Sequence, residues 1–161
     1  MRKASFSLVL MVAAAILAAV AARAANASNS RMIHIQEHVV NATYVPVSTL
    51  VGGNGPSTQG DYIAFDDPIF DPATGNQVGH VAGVCTLVDV ATQIYTCPDV
   101  MFIIEGRGQI AAGGLFDGTG NPTTGPILFH GGTGEFREAQ GTVRVQALNA
   151  AVNDFVFTLS N

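Results

Sequence analysis

The stretch Val100-Met101-Phe102-Ile103-Ile104 decides the fold prediction, because both of its alternate sets of residues are apolar. In an extended strand these two sets point to opposite faces of the sheet. A strand in a closed barrel lines the interior with one face and is covered by a neighbour on the other. A barrel therefore explains a strand that is apolar on both sides.

Outward from this stretch, apolar β-rich runs alternate with turn clusters rich in Gly, Pro, Asn and Asp. Strand–helix–strand alternation is absent, which argues against a parallel α/β sheet. We predict an all-β, eight-stranded antiparallel β-barrel with one helical turn at Glu135 to Gln140; a β-sandwich is the alternative on pattern alone. The predicted strands are Met32 to Val47, Tyr62 to Phe70, Val78 to Val88, Ile94 to Glu105, Gln109 to Phe116, Pro126 to His130, Thr142 to Leu148 and Asp154 to Ser160.

The N-terminus has the three parts of a secretory signal peptide. Met1-Arg2-Lys3 is basic, residues 8–20 are apolar, and Ala25-Asn26-Ala27 is a small-x-small cleavage pattern. We therefore predict that residues 1–27 are a signal peptide, that residues 28–161 form the barrel domain, and that the protein is secreted. An uncleaved anchor is the alternative, but the apolar run is shorter than the ~20 residues that span a bilayer.

The net negative charge of the chain limits the kinds of partner that it is expected to bind. Without residues 1–27 the chain keeps four arginines, no lysine and twelve acidic residues, a formal charge of −8. Nucleic acids and anionic membranes both bind clustered Lys and Arg, so neither is an expected partner, and no integral membrane segment is expected after signal cleavage. His34, His38, His80 and His130 show no metal-ligand spacing, and we predict neither a metal nor a cofactor.

The two cysteines are placed to form a disulfide. Cys85 and Cys97 lie six residues either side of position 91, in consecutive predicted strands, so they can face each other across a hairpin. An exported protein meets an oxidising compartment, where such a pair usually bridges, for a gain of about 3 kcal/mol. The alternative, a reactive Cys85 thiolate, requires that cysteine to stay unpaired.

Six short motifs occur in the order and spacing of a known family. They are Gly60-Asp61, Val78-Gly-His-Val-Ala-Gly-Val-Cys85, Gly108-Gln-Ile110, Gly131-Gly-Thr-Gly134, Ala139-Gln-Gly-Thr-Val143 and Asp154-Phe-Val-Phe-Thr-Leu159. In this arrangement the chain resembles the allene oxide cyclase family, which is related to plant dirigent proteins. The resemblance covers roughly Met32 to Asn161, and the added Cys97 is similar to the exported, mainly bacterial members.

This resemblance implies a calycin-type eight-stranded barrel with an apolar cavity, assembled as a homotrimer. It also implies binding of a small lipophilic ligand without a cofactor. The cyclases hold an unstable fatty-acid epoxide folded while its ring closes, and dirigent proteins orient reactive intermediates. Such proteins act by positioning and by electrostatic preorganisation.

Glu37 is the catalytic candidate that the resemblance indicates. The plant cyclases use a glutamate and an asparagine on the first strand, together with a cysteine that Cys85 matches. Glu37 is the only carboxylate in the first predicted strand, and Val39 stands where the asparagine is expected. Alternation places Glu37 on the same face as Ile33 and Ile35. A carboxyl group buried there is perturbed toward catalysis, whereas one at the barrel mouth is solvated; the sequence allows both.

Two functional classes remain. The first is a secreted protein that steers a cofactor-independent cyclisation or isomerisation of a small lipophilic molecule, and the second is a non-catalytic barrel for ligand binding or surface interaction. Phe102, Phe155 and Phe157 are the candidate cavity residues: an open cavity with a polar group favours the first class, and a barrel filled by these rings favours the second. Asp66 and Asp67 are adjacent, so we expect them on opposite faces of their strand and not as a carboxylate pair.

Overall fold

The protein consists almost entirely of β-strands. A computed structural model describes residues 30–47, 58–119 and 127–160; the predicted signal peptide, residues 1–27, lies outside the described residues. The strands are β1 (Arg31–His38), β2 (Ala42–Val45), β3 (Tyr62–Phe70), β4 (Gln77–Asp89), β5 (Ile94–Ile104), β6 (Gly108–Asp117), β7 (Ile127–Gly132), β8 (Gln140–Asn149) and β9 (Val152–Ser160), with a 3-10 helix at Gly134–Phe136 before β8.

These strands form one antiparallel sheet that closes on itself. The order is β1-β9-β8-β7-β6-β5-β4-β3-β2, and β1 also pairs with β3 through Gln36 with Phe70 and Glu37 with Ile69. That last pairing makes a closed ring of eight strands, while β2 is added to the other end of β3. The predicted eight-stranded antiparallel barrel is confirmed, and the sandwich alternative is wrong because one continuous ring of pairings surrounds the interior.

The first predicted strand corresponds to two strands in the structure, β1 and β2. The sequence predicts an unbroken strand from Met32 to Val47, but the strand ends at His38 and resumes as β2. The cause is the side chain of Asp67, whose Oδ1 accepts hydrogen bonds of 2.6 Å from the backbone N–H groups of both Val40 and Asn41. Because these donors are held by a side chain, they do not join a strand ladder, and the chain turns a corner.

Side chains fill one end of the barrel. Phe157 and Phe136 are fully buried and belong to the same apolar cluster. The Phe157 ring packs edge-on against Phe102 with 4.9 Å between centroids, a favoured arrangement for aromatic pairs. We name this the plugged end, defined by Phe136 and Phe157.

An ion-pair cluster covers the plugged end. Arg31 and Arg107 both pair with Glu135, and their guanidinium groups lie 5.2 and 5.4 Å from the centroid of the Phe136 ring. The 3-10 helix that carries Phe136 lies where a helical turn is predicted, although it begins one residue earlier and is shorter.

Candidate functional site

The end of the barrel remote from Phe136 encloses a cavity of about 290 Å³. Phe102 and Phe155 line it and pack edge to face at 5.0 Å, whereas Phe157 is not among its lining residues. The cavity wall extends to Gly118 and Ala150, which are exposed, and we name this the open end. The sequence allows either an open barrel or a filled one. The open end of the barrel contains a cavity, and the plugged end is filled by side chains.

Aromatic side chains form much of the cavity wall. They are Phe65, Tyr95, Phe102, Phe116 and Phe155. Tyr95 is buried, and its hydroxyl oxygen lies 3.5 Å from Oε1 of Gln93. Burial raises the pKa of Tyr95, and the negative charge of Asp61 adds to this, so the side chain is a neutral phenol at physiological pH.

Glu37 lies inside the barrel, in the wall of this cavity. Its side chain is only 4% exposed, so the alternative of a solvated carboxylate at the mouth is wrong. Burial raises its pKa from 4.5 to about 7, and a hydrogen bond from Asn153 opposes this rise. The negative charge of Asp67 and a side-chain hydrogen bond with it act in the same direction as burial. Near neutral pH Glu37 is therefore present in both its protonated and its ionised form, which is the condition for proton transfer in either direction.

Asn153 holds Glu37 from the neighbouring strand. The two residues are directly paired between β1 and β9, and Nδ2 of Asn153 donates a hydrogen bond of 2.7 Å to Oε2 of Glu37. Both side chains line the cavity. A donor at this position favours the ionised carboxylate and fixes its orientation.

Asp67 is a second buried acid in the cavity wall. It is 1% exposed, and it points inward while its neighbour Asp66 points outward to pair with His80 at 2.7 Å, so the expectation that the two face opposite sides of β3 is confirmed. Oδ1 of Asp67 holds the β1–β2 corner, and Oδ2 is buried with no donor when Glu37 is ionised. Protonated Glu37 forms a side-chain hydrogen bond with Asp67, and this bond helps to raise the pKa of Glu37. The carboxyl pair in this barrel is thus Glu37 with Asp67, across two strands.

The predicted disulfide is present and forms part of the cavity wall. Cys85 on β4 and Cys97 on β5 are bonded at 2.01 Å, so the alternative of a free Cys85 thiolate is wrong. Directly after Cys97, β5 bulges at Pro98 and Asp99. Gly113 on β6 permits this bulge, because a Cβ atom there would lie 2.0 Å from the carbonyl oxygen of Pro98.

The sequence-based prediction gives no role in the site to three polar residues that line the cavity: Asp67, Asn153 and Tyr95. Alternation along β3 places Asp67 on the face of Phe65 and Ile69, and alternation along β9 places Asn153 on the face of Phe155. A search for polar residues on otherwise apolar strand faces would have found Asp67 and Asn153. Nothing local identifies Tyr95, because tyrosine is also common on the outer faces of strands.

Two further observations concern the described part of the chain. It contains no helix long and apolar enough to span a membrane. Its His, Cys, Asp and Glu side chains form no group of three or more that could hold a metal ion.

Several solved structures share this architecture. A pyocyanin demethylase is 21% identical with a TM-score of 0.65, covering 80% of this chain and 99% of its own. A pterocarpan synthase dirigent protein is 15% identical with a TM-score of 0.66, covering 83% of this chain and 88% of its own. The Diels-Alderase from Streptomyces koyangensis is 20% identical with a TM-score of 0.61, covering 89% of this chain and 69% of its own. No protein-family model matches the chain, and no curated protein sequence does.

Proposed function

We propose that this protein is secreted, binds a small lipophilic molecule in the cavity at the open end, and steers a cofactor-independent cyclisation or isomerisation of it. The observation that carries the proposal is the buried Glu37 carboxyl group, held by Asn153 in the wall of an apolar cavity of about 290 Å³. Ligand cavities have this character: an apolar lining with a few placed polar groups, at volumes from about 300 Å³.

The chemistry assigned to Glu37 is proton transfer. In its protonated form the carboxyl group gives a proton to a carbonyl, ether or alkene position of the ligand as charge develops there, and it recovers a proton from the product. A pKa of about 7 suits both directions at neutral pH. Asn153 positions the carboxyl group, and the aromatic wall holds the ligand in one conformation and excludes water.

The named structural neighbours support this class of function by analogy. They include a demethylase, pterocarpan synthase dirigent proteins, Diels-Alderases and a cyclase described as binding heme nonspecifically. Each name describes a reaction on a small organic molecule. Because these proteins share only the fold at this level of identity, the analogy supports the kind of site and not the substrate. The more specific assignment to the allene oxide cyclase family rests on the motifs described above.

A non-catalytic binding protein is the second candidate. It is favoured by the small size of the cavity, whose floor is occupied by the packed rings of Phe102 and Phe155. In this version the same cavity holds a ligand and Glu37 serves only to recognise it. A loss of turnover in Glu37→Gln that far exceeds any loss of binding separates the two candidates in favour of catalysis.

Trimer formation is part of the proposal. Leu115 on β6 and Leu128 on β7 face outward and are 57% and 55% exposed, and Val84 on β4 is also exposed. The outward side chains of Met101 and Ile103 on β5 are only partly covered. Apolar outer walls of this kind are typical of surfaces that associate. Analytical ultracentrifugation of residues 28–161 tests trimer formation. We expect the mass of a trimer, and the mass of a monomer would contradict this part of the proposal.

The experiment that tests ligand binding is a thermal-shift and fluorescence screen of residues 28–161 against neutral lipophilic compounds, with N-phenyl-1-naphthylamine as the first probe. Two neighbouring residues on β6 provide a matched pair of variants. Ala112 lines the cavity, whereas Ala111 lies on the outer face. Binding that is lost in Ala112→Leu and kept in Ala111→Leu is the expected result. No binding by any member of a broad panel would overturn both candidate functions.

A further inference from the structure

We infer that the cavity selects an organic cation, an apolar ring system that carries one protonated nitrogen, and this inference rests on the proposed ligand-binding function. The ionisable side chains that line the cavity are Glu37, Asp67 and Tyr95; no Lys, Arg or His lines it in the described part of the chain. The two acids are buried, so their field acts on a bound ligand with little screening by solvent.

Asp67 provides the acceptor. Its Oδ1 is committed to the backbone N–H groups of Val40 and Asn41. Oδ2 is buried and has no donor when Glu37 is ionised, because the side-chain hydrogen bond between the two acids needs the Glu37 proton. A buried acceptor without a hydrogen-bond donor is unfavourable, and such acceptors are rare in native structures. An N–H donor on a ligand beside Glu37 and Asp67 supplies the missing partner and places positive charge between two acids.

The aromatic wall is the second requirement for a cation. Phe65, Tyr95, Phe102, Phe116 and Phe155 border the same space. The faces of aromatic rings attract cations, and desolvated cation–π contacts are stronger than exposed ones. Rings around an acid pair are therefore complementary to the apolar body and the charged nitrogen of one molecule.

The charges on the outer surface also favour a cationic ligand at the open end. At the plugged end Arg31 and Arg107 are paired with Glu135, and the exposed Arg137 directly follows Phe136. Arg144 is exposed on β8. The last residues of β4 and β6, at the open end, are Asp89 and Asp117. The negative charge at the open end therefore attracts cations and repels carboxylates.

The acid pair therefore argues against a fatty-acid carboxylate in this cavity. A carboxylate ligand would be buried beside Glu37 and Asp67 with no cation to neutralise it, which is strongly unfavourable.

Three probes with one ring system test the inference: 1-naphthylmethylamine as the cation, 1-naphthalenemethanol as the neutral analogue and 1-naphthoic acid as the anion. Calorimetry on residues 28–161 at pH 7.5 and low salt is expected to give the amine at least about tenfold tighter binding than the alcohol, with the acid weakest; tenfold corresponds to about 1.4 kcal/mol. Equal binding of amine and alcohol overturns the inference and leaves the proposed function standing. No binding by any of the three counts against both.

Substitutions in the cavity wall test which residues cause the preference for the amine over the alcohol. Asp67→Asn and Glu37→Gln are each expected to reduce the amine-to-alcohol ratio to less than about threefold. Asp66→Asn is the matched control, because Asp66 is adjacent in sequence but faces outward to His80. A ratio that survives both cavity variants, or that falls equally in Asp66→Asn, contradicts the assignment to this acid pair. Glu37→Gln keeps the test decisive if Asp67→Asn does not fold.

Discussion

The Asn153 side chain donates a hydrogen bond of 2.7 Å to Glu37 across the β1–β9 pairing, inside the barrel. Residues 116 positions apart in sequence thus form one polar unit in an apolar cavity. The amide favours the ionised form of Glu37, while burial and the charge of Asp67 favour the protonated form. Their balance near neutral pH is the basis of the predictions about this residue.

Replacement of Glu37 by Gln is expected to change how stability depends on pH. The pKa of Glu37 is raised from 4.5 to about 7 on folding, so the folded protein holds this proton more tightly than the unfolded chain. The resulting stabilisation is complete below pH 4.5 and is lost as pH rises to about 7. It amounts to about 3 kcal/mol. Urea unfolding of both proteins from pH 4 to pH 8.5 measures it.

Groups that do not interact with Glu37 contribute equally to the two proteins in that comparison, so the difference between their pH profiles reports on Glu37 and its coupling to Asp67. The glutamine side chain of the Glu37→Gln variant does not titrate, and its amide oxygen can still accept the hydrogen bond from Asn153. Identical pH profiles would show that the pKa of Glu37 is unchanged by folding.

Replacement of Asn153 by Ala is expected to raise the pKa of Glu37 above about 7. The hydrogen bond from Asn153 is the contribution that lowers this pKa, whereas burial and the charge of Asp67 remain in the variant. A carboxyl ¹³C NMR titration of Glu37 measures the shift directly. An unchanged or lowered pKa would contradict the role given to Asn153.

Asp67→Ala is expected to destabilise the protein by about 2–4 kcal/mol. The substitution leaves the N–H groups of Val40 and Asn41 without their acceptor and opens the corner between β1 and β2. Chemical denaturation measures the loss. Asp66→Ala, which removes only an exposed pair with His80, should change stability by less than about 1 kcal/mol. Equal effects of the two substitutions would show that the corner does not depend on Asp67.

Removal of the disulfide with Cys85→Ala and Cys97→Ala together is expected to cost about 3 kcal/mol of stability. The bond joins β4 to β5 next to the β5 bulge. Because both cysteines lie in the cavity wall, binding of a lipophilic probe should weaken as well. Thermal unfolding and probe fluorescence measure the two effects. A double variant as stable as the wild type would show that the bond is not a structural one.

A substrate found by ligand screening is expected to lose turnover in Glu37→Gln by about 10²- to 10⁴-fold in kcat, the usual contribution of a general acid or base. KM should change much less, because Gln keeps the shape and the hydrogen bond of the side chain. Steady-state kinetics separates the two parameters. Unchanged kcat would remove Glu37 from the mechanism and favour the binding-protein candidate.

Much of the fold is local and could be predicted. The β3 strand is predicted at Tyr62 to Phe70 and lies there, because Asp61 and Asp71-Pro72 mark its ends by turn chemistry. The Cys85–Cys97 bond follows from symmetry about one hairpin. Both predictions need only information from within about a dozen residues.

The parts that could not be predicted depend on distant contacts. The break after His38 is caused by a carboxylate 27 residues away from Val40, and the partner of Glu37 lies on the last strand. Division of the barrel into a plugged end and an open end depends on Phe136 from the 3-10 helix packing against residues of several strands. Periodicity assigns a residue to a face, but it does not say which faces meet or how far side chains fill the space between them.

A crystal structure of residues 28–161 with a ligand from the lipophilic screen is the decisive experiment for binding inside the barrel. We expect density for the ligand in the cavity at the open end, enclosed by Phe102 and Phe155 and within contact of Glu37. Ligand density on the outer wall, with the cavity unchanged, would contradict it.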